Sequence, residues 1–455
     1  MSASEAPVLL GRICSSWRAI SLSTPCLWAK VHIVEPSPPP YMFPDALFDQ
    51  KVTQRLETTK MWLGRSGQCP LSISLYSASE DGNAADASEV SVQFLQVLVP
   101  FASRWQHIHF TTPLSLLLEI ISHIDTDMPW LETVAFHHQV HRSLQNIKWG
   151  SFKMLRGARI SSFYTPGSIF IPERFPLRWN QLTTLTIGGP SWTVLPELTS
   201  QETLRVISRC PELRCCKLMV NDPFPEIPGS HLPIVELPFL HTLAVHCVAC
   251  VAPAVSVLLK RLSLPELRNF TFLASGSHGQ DSPALADFFA RSTCLESVEI
   301  NSNTFLKTTF LEGLRSLPPT IQWLQIRDRN NAWGVSPTPL DDDTLAILTS
   351  PELCPALQHF SVDHGFSMSD AAILRFITAR MLEPQNTLQQ VNIEFNRQMT
   401  LDIMPSLQPF IEAGLAISLI YQPPFQSQFS PWHGLADAPT LDAPLWFPPP
   451  MLPHW

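Results

Sequence analysis

"LHTLAV" at residues 240–245 and "LRNFTF" at residues 267–272 are one phrase written twice, 27 residues apart. Each opens on leucine, carries an apolar residue at position four and ends on a β-branched or aromatic residue at position six. Eight more copies lie on either side. They read LETVAF from Leu131, LRGARI from Leu155, LTTLTI from Leu182 and LRCCKL from Leu213, then LESVEI from Leu295, IQWLQI from Ile321, LQHFSV from Leu357 and LQQVNI from Leu388. Start-to-start spacings run from 24 to 36 residues, around a period near 27. A fixed period on this scale is the signature of a repeat architecture.

The phrase is a strand in miniature. Side chains alternate between faces along a strand, so positions four and six share one side and positions three and five the other. Between phrases lie helical signatures. Residues 200–210 (SQETLRVISRC) offer Ser200 as an N-cap, and residues 282–292 (SPALADFFARS) place Pro283 in the first turn with Leu285, Phe288 and Phe289 on one side. DDDTLAILTS and, from Ser369, SDAAILRFITARM repeat the plan. Strand plus helix at this period is the arithmetic of an α/β leucine-rich-repeat-like solenoid, in which each unit buries its apolar face only against its neighbours. The competing architecture, a doubly wound open sheet, rarely exceeds ten strands and would not hold phrase and period together. Prolines ahead of the phrase (Pro211, Pro238, Pro265, Pro319, Pro355) suit a first-strand position that donates nothing to the ladder. The asparagine usual after such strands is mostly missing, so the repeats are irregular. A further strand is expected in LAISLIY (415–421). Earlier strands are expected in CPLSISLYS (69–77) and RWQHIHF (104–110), with a helix in SEVSVQFLQVLVPFA (88–102) between them.

Composition narrows the function. The 455 residues are 45% hydrophobic but only 15% charged, with 43 prolines against 17 glycines, which suits many short elements joined by rigid turns. A net charge of −9 without a Lys/Arg cluster leaves no footprint for nucleic acid. The ten cysteines follow no framework and read as small buried hydrophobes of a reducing compartment. The first residues have neither a basic nor a long apolar region of the secretory type. The most apolar run, 243–259, would span about 25 Å as a helix and carries His246, Pro253 and Ser256, so it reads as a buried strand followed by a buried helix rather than a membrane span. A soluble intracellular protein, in cytoplasm or nucleus, is the expectation.

The opening stretch RICSSWRAISLSTPCLWAKVHI (12–33) is a different kind of sequence. It concentrates apolar surface around Trp17 and Trp28 and precedes a proline-rich run, EPSPPPYMFP (35–44). Cys14-x-x-Trp17, Leu22, Ser23-Thr24-Pro25 and Leu27-Trp28 closely resemble the C-terminal half of an F-box in the form common in mushroom-type fungi. Residues 55–75 and 101–110 resemble that family's usual continuation into irregular leucine-rich repeats. The helix that normally opens an F-box, reading roughly Leu-Pro-x-Glu-Leu/Ile-Leu, has no counterpart ahead of Ser4, so the resemblance is to a box truncated on its N-terminal side.

The expected organisation is a partial all-α F-box (1–34), a Pro-rich linker (35–46), the solenoid (47–421) and a disordered Pro/aromatic tail (422–455). The resemblance implies a non-enzymatic substrate receptor of a cullin-RING ubiquitin ligase of the SCF type. Cys14, Trp17, Leu22, Pro25, Leu27 and Trp28 would meet a Skp-type adaptor, while the repeats hold an unknown target protein. The alternative is a repeat scaffold that binds partners but recruits no ligase. On the solenoid, positions three and five would form the concave binding face: Thr184, Thr186, Lys217, Asn269, Thr271, Glu299, Trp323, Gln325, His359, Gln390 and Asn392, along with Thr133, Ala135, Gly157, Arg159, Cys215, Thr242, Ala244, Ser297 and Ser361. That face reads as polar and nearly uncharged, which argues against a strongly acidic or basic ligand. Trp323 is either an outward binding hot spot or, with the register off by one, core. No cofactor, metal, membrane or nucleic acid is implied. Cys247-x-x-Cys250 lacks a second ligand pair, His137, His138 and His141 lack a zincin Glu, and Asp341-Asp342-Asp343 reads as an acidic helix start.

Overall fold

In the computed structural model the described residues run from 7 to 423, except 37–45, 78–83, 113–120, 122–123, 125, 138–151, 158, 166–174, 189–197, 223–232, 249–251, 276–284, 329–338, 366 and 384–385. Fourteen strands form one all-parallel sheet in chain order. They are β1 (Lys30–Val34), β2 (Leu71–Tyr76), β3 (Trp105–Thr111), β4 (Thr133–His137), β5 (Ser162–Thr165), β6 (Thr184–Ile187), β7 (Cys215–Val220), β9 (Thr242–Val248), β11 (Asn269–Ser275), β12 (Ser297–Asn301), β13 (Trp323–Arg327), β14 (His359–Gly365), β15 (Gln390–Phe395) and β16 (Ala416–Ile420). The two short strands β8 (Val235–Glu236) and β10 (Leu262–Ser263) pair separately. Every strand neighbours its sequence successor in the large sheet, so there is no reversal of strand order as in a doubly wound fold. The chain is an α/β leucine-rich-repeat-like solenoid.

The phrase positions explain the stacking. Position one is buried in every repeat of the row Leu182, Leu213, Leu240, Leu267, Leu295 and Ile321, and positions four and six sit beneath it, as in Phe270 and Phe272 or Leu324 and Ile326. Positions three and five remain at least partly open except at Ala135 and Ala244, so only one face of the sheet is covered by helices. The covering layer is made of helices: Ser200–Ile207 touches Ala252–Lys260, which touches Ala286–Arg291, which touches Lys307–Arg315, and Asp342–Leu348 touches Asp370–Leu382. Position two supplies the continuous thread. Its carbonyl accepts two N–H donors from the following repeat: Arg214 from His241 and Thr242, His241 from Arg268 and Asn269, Arg268 from Glu296 and Ser297, all at 2.8–3.1 Å. The same fork recurs from Glu132 to Gln358.

Several local expectations shift. The prolines stand not on the strand but at the second position of a β-turn that ends on the position-one residue. Leu213 N–H donates to the Cys210 carbonyl across Pro211, and Leu240, Leu267, Ile321 and Leu357 repeat the bond. Proline is preset for that position and lacks the N–H a strand would use. LRGARI is not a strand, because its first two residues close a 3-10 turn, Lys153–Arg156, that Gly157 ends; the strand of that repeat is β5, with Ile160, five residues after Leu155, at position one. Gly157 and Arg159 therefore leave the proposed binding face. The helix cap is Thr199 rather than Ser200, in a capping box with Glu202, and the helix of residues 286–291 begins after Pro283, which lies outside the described residues. Ser369 and Asp341 cap their helices as expected. The apolar run 243–259 becomes β9 and the helix Ala252–Lys260, and no described helix is long and apolar enough to cross a membrane.

Arginines tie successive repeats together. Buried Arg380 donates to the carbonyls of Leu348 (2.6 and 2.9 Å), Leu353 (2.6 Å) and Cys354 (3.3 Å), at the C-terminus of the preceding helix. Arg291 does the same for Leu259 at 3.1 Å, and Arg104 for Cys69 at 2.8 and 3.0 Å. A helix C-terminus leaves unpaired carbonyls and a negative partial charge, and a guanidinium answers both. Toward the C-terminal end the last described repeats are tied together by Asp370, whose buried carboxylate accepts from Arg397 (2.6 Å), Thr400 (2.6 Å), the Leu401 N–H (2.8 Å) and the Tyr421 hydroxyl (3.0 Å). Burial would raise its pKa, but these bonds outweigh burial and hold it well below the carboxylate range.

Two outcomes follow. Arg380→Ala strands the carbonyls it serves and is expected to cost about 2–4 kcal/mol in chemical denaturation, with Arg380→Lys intermediate. Glu35, buried after β1 beside Ser91 (2.8 Å) and Ser77, has its pKa pushed up by burial from 4.5 to about 7, against the lowering effect of those hydroxyls. The folded state thus binds this proton more tightly than the unfolded chain, so stability falls as pH rises from 4.5 to 7. Glu35→Gln, a mimic of the protonated form, should flatten that slope and gain up to about 3 kcal/mol near pH 8, read by melting at several pH values.

Candidate protein-binding surfaces

Two surfaces collect the residues singled out by sequence. The first is the head. Residues Leu10–Ile13 and Ser15–Ser23 form two short helices, and Pro25–Trp28 a 3-10 turn leading straight into β1. The stretch is thus not a detached module ending at residue 34: Lys30–Val34 is the first strand of the sheet, pairing with β2.

The phrase Ser23-Thr24-Pro25-Cys26-Leu27-Trp28 makes the joint. Trp28 is 3% exposed, donates its indole N–H to the Ser21 carbonyl at 2.7 Å and meets Trp62 edge-on at 4.9 Å between ring centroids. The Arg65 guanidinium lies 4.6 Å above the same ring, and the Trp62 indole reaches back to the Lys30 carbonyl at 3.2 Å. Gly67 ends the Trp62-bearing helix at φ +55°, where a Cβ would come within 3.3 Å of Pro25. Glycine alone adopts that angle cheaply and admits the approach. Trp28, assigned by sequence to an adaptor surface, is therefore a core residue holding the head on the first repeat, and Leu27 packs partly buried beside it. Pro25 keeps some surface while touching Gly67.

The rest of the head is exposed and apolar. Trp17 (46%) and Ile20 (53%) stand one turn apart on the second of these helices, Ile13 (59%) ends the first, and Leu22 and Cys14 are likewise in solvent. Ile13 and Ile20 were missed in the sequence, where only the family phrase drew attention; their spacing with Trp17 was the available signal.

The second surface is the open face of the sheet. Thr184, Thr186, Lys217, Asn269, Thr271, Glu299, Trp323, Gln325, His359, Gln390 and Asn392 all stand at positions three or five there, in register across the strands. Trp323 is 46% exposed, its ring 5.3 Å from that of His359, so the off-by-one register is excluded. Neighbours along the rows bond to each other: Asn269 to Thr242 (3.3 Å), Thr271 to Glu299 (3.2 Å), Gln325 to Asp363 (3.0 Å).

The expectation of a nearly uncharged face does not survive. Strands extend one residue beyond the six-residue phrase, and this seventh position adds Arg327, Asp363 and Glu394. Arg327 pairs with Glu299 at 2.5 Å and lies 3.6 Å from Asp363. Seventh positions also add His246 and His137, and the first strands add His32, His107 and His109. His137 thus closes β4, stacked on Tyr164 at 4.1 Å, rather than sitting in a connection. Burial lowers the pKa of His109, with His107 adding to it, and of His137, with His109 adding to it.

Cys247 is buried in β9, Cys250, His138 and His141 lie outside the described residues, and burial pushes the thiols of Cys210 and Cys354 up to about 12. Among the described residues no group of three or more His, Cys, Asp or Glu could hold a metal ion. Asp341 caps its helix and, with Asp343, pairs with Lys307.

No protein-family model matches this chain, and no curated protein does. Among solved structures, the crystal structure of a Rad7 and Elc1 complex in yeast is similar at 14% identity, covering 74% of this chain and 77% of that one, with a TM-score of 0.43. A likeness that loose says nothing of what the chain binds.

Trp28→Ala should cost about 3–5 kcal/mol, as for a buried aromatic. Trp323→Ala should shift the same denaturation curve by less than about 1 kcal/mol, as an exposed residue does.

Proposed function

We propose that this chain is a non-enzymatic substrate-recognition subunit of an SCF-type cullin-RING ubiquitin ligase, docking a Skp-type adaptor through its head and a target protein through the open face of the solenoid. The observation that carries the reading is the head itself. Trp17 and Ile20, one turn apart on the second head helix, and Ile13 at the end of the first stand in solvent while Trp28 anchors the same segment to the first repeat. Contiguous exposed apolar surface of this kind marks an interaction site, and the sequence around it resembles the C-terminal half of an F-box. Adaptor contact would then fall to Ile13, Cys14, Trp17, Ile20 and Leu22, with Pro25, Leu27 and Trp28 setting the angle between head and solenoid.

The open face supports the second half. Its rows of hydroxyl, amide and imidazole groups on a rigid sheet, with Trp323 as an exposed aromatic, suit recognition of a protein surface. In this reading ubiquitin transfer belongs to other subunits.

Pull-down of a purified Skp-type adaptor by the full chain tests the proposal. Binding is expected, with a loss of tenfold or more for Trp17→Ala and Ile20→Ala and no loss for Trp323→Ala, on the scale of an interface hot spot. Failure of the adaptor to bind would leave the alternative, a repeat scaffold that recruits no ligase.

A further inference from the structure

Charge on the open face is sorted along the solenoid. Among the described residues, positions three, five and seven from β1 to β11 carry no carboxylate. In the same rows stand Lys30, Lys217 and the imidazoles of His32, His107, His109, His137 and His246. From β12 onward the rows turn acidic, with Glu299, Asp363 and Glu394 against Arg327. The chain as a whole has 39 acidic residues against 30 basic, and the carboxylates of this face stand on its later strands alone.

The imidazoles sit close together. His32 lies opposite Ser74, and Ser74 opposite His109, on three adjacent strands. His107 is two residues from His109, and His137 stands across from Thr111 on the next strand. Hydroxyls fill the places between: the His32 ring is 3.0 Å from the Ser74 hydroxyl and the His107 ring 2.9 Å from that of Thr133. Imidazole N–H and hydroxyl groups donate hydrogen bonds when neutral, and imidazole gains positive charge on protonation.

We propose that this half of the face receives an anionic segment of the target protein, acidic or phosphorylated, oriented with its negative end over β1–β7 and its other end toward the acidic strands β12–β15. The inference rests on the reading of the open face as the target-binding surface and names the chemistry of that target. Oxygen acceptors of carboxylate or phosphate find donors in every row and meet no like charge there, whereas a cationic segment would meet Lys30, Lys217 and the imidazoles. Charged and titratable groups around the cluster are Lys30 on β1, Tyr76 on β2, Tyr164 on β5 and, at the rim one residue ahead of β4, Glu132. An anion favours the protonated imidazoles, so binding strengthens as pH falls, and because burial holds His109 and His137 below the ordinary imidazole value the gain continues below pH 6.

The test is fluorescence anisotropy of the full chain with three labelled peptides: an oligoglutamate, a phosphoserine peptide of otherwise neutral residues, and an oligolysine. Saturable binding of at least one anionic peptide is expected, about tenfold tighter near pH 6 than near pH 7.5. Which anionic peptide binds tells carboxylate from phosphate. The triple variant His107→Gln, His109→Gln, His137→Gln should remove the pH dependence, and Lys217→Glu, an exposed single change, should weaken binding without altering the melting curve. Absence of binding by both anionic peptides, equal or tighter binding of oligolysine, or an unchanged pH dependence in the triple variant overturns the inference. A chain that binds the adaptor but neither anionic peptide overturns this inference alone and keeps the receptor reading.

Discussion

Every repeat of this chain has an apolar strip that it cannot bury by itself. Leu240, Leu243 and Val245 are shielded by Leu213, Cys216 and Leu218 on one side, Leu267, Phe270 and Phe272 on the other, and the helices beneath. The position-two carbonyls, each taking two N–H groups from the next repeat, hold that stacking in register. A one-residue slip would turn every buried phrase position outward, so the register is strongly specified wherever the strip is apolar. The turns before the strands, the arginines on helix ends and the open polar face all depend on it.

This constraint makes the ends of the array the difficult places, because terminal repeats lack a neighbour. At the N-terminal end the Trp28–Trp62 contact supplies one: the head lies on the first repeat helix and feeds directly into β1. Toward the C-terminal end Asp370 gathers Arg397, Thr400, Leu401 and Tyr421, tying the last described repeats together, with Tyr421 stacked flat on Phe395 at 4.4 Å. Both contacts use groups that the repeat phrase does not contain. The sheet face left over is free of packing duties, and there charge can be distributed by function rather than by stability.

Much of this was legible residue by residue. Leu at position one and apolar residues at positions four and six announced both the strand and its buried side, because a period of two has only two registers. The helix starts at Ser369 and at the acidic run 341–343 were readable from their place ahead of an apolar run. LRGARI misled because its spacing fits the phrase, but tertiary pairing selected the neighbouring SFYT, whose Phe163 fills the core slot that the phrase's Ala158 would leave small. The seventh position escaped because the phrase was defined over six residues, and with it went Arg327, Asp363 and His137.

By itself the sequence determined the solenoid, its period and the polar side of its sheet, since these follow from local alternation and from the need of each unit to bury one strip. Only the tertiary structure decided which tryptophan of the opening stretch is a joint and which is a surface. Trp17 and Trp28 are equally apolar, and nothing local separates them. Trp28 is buried by Trp62, 34 residues away, whereas Trp17 is left 46% exposed. The sorting of charge along the open face was likewise invisible in a net charge of −9, because it arises when parallel pairing brings residues from distant repeats into common rows.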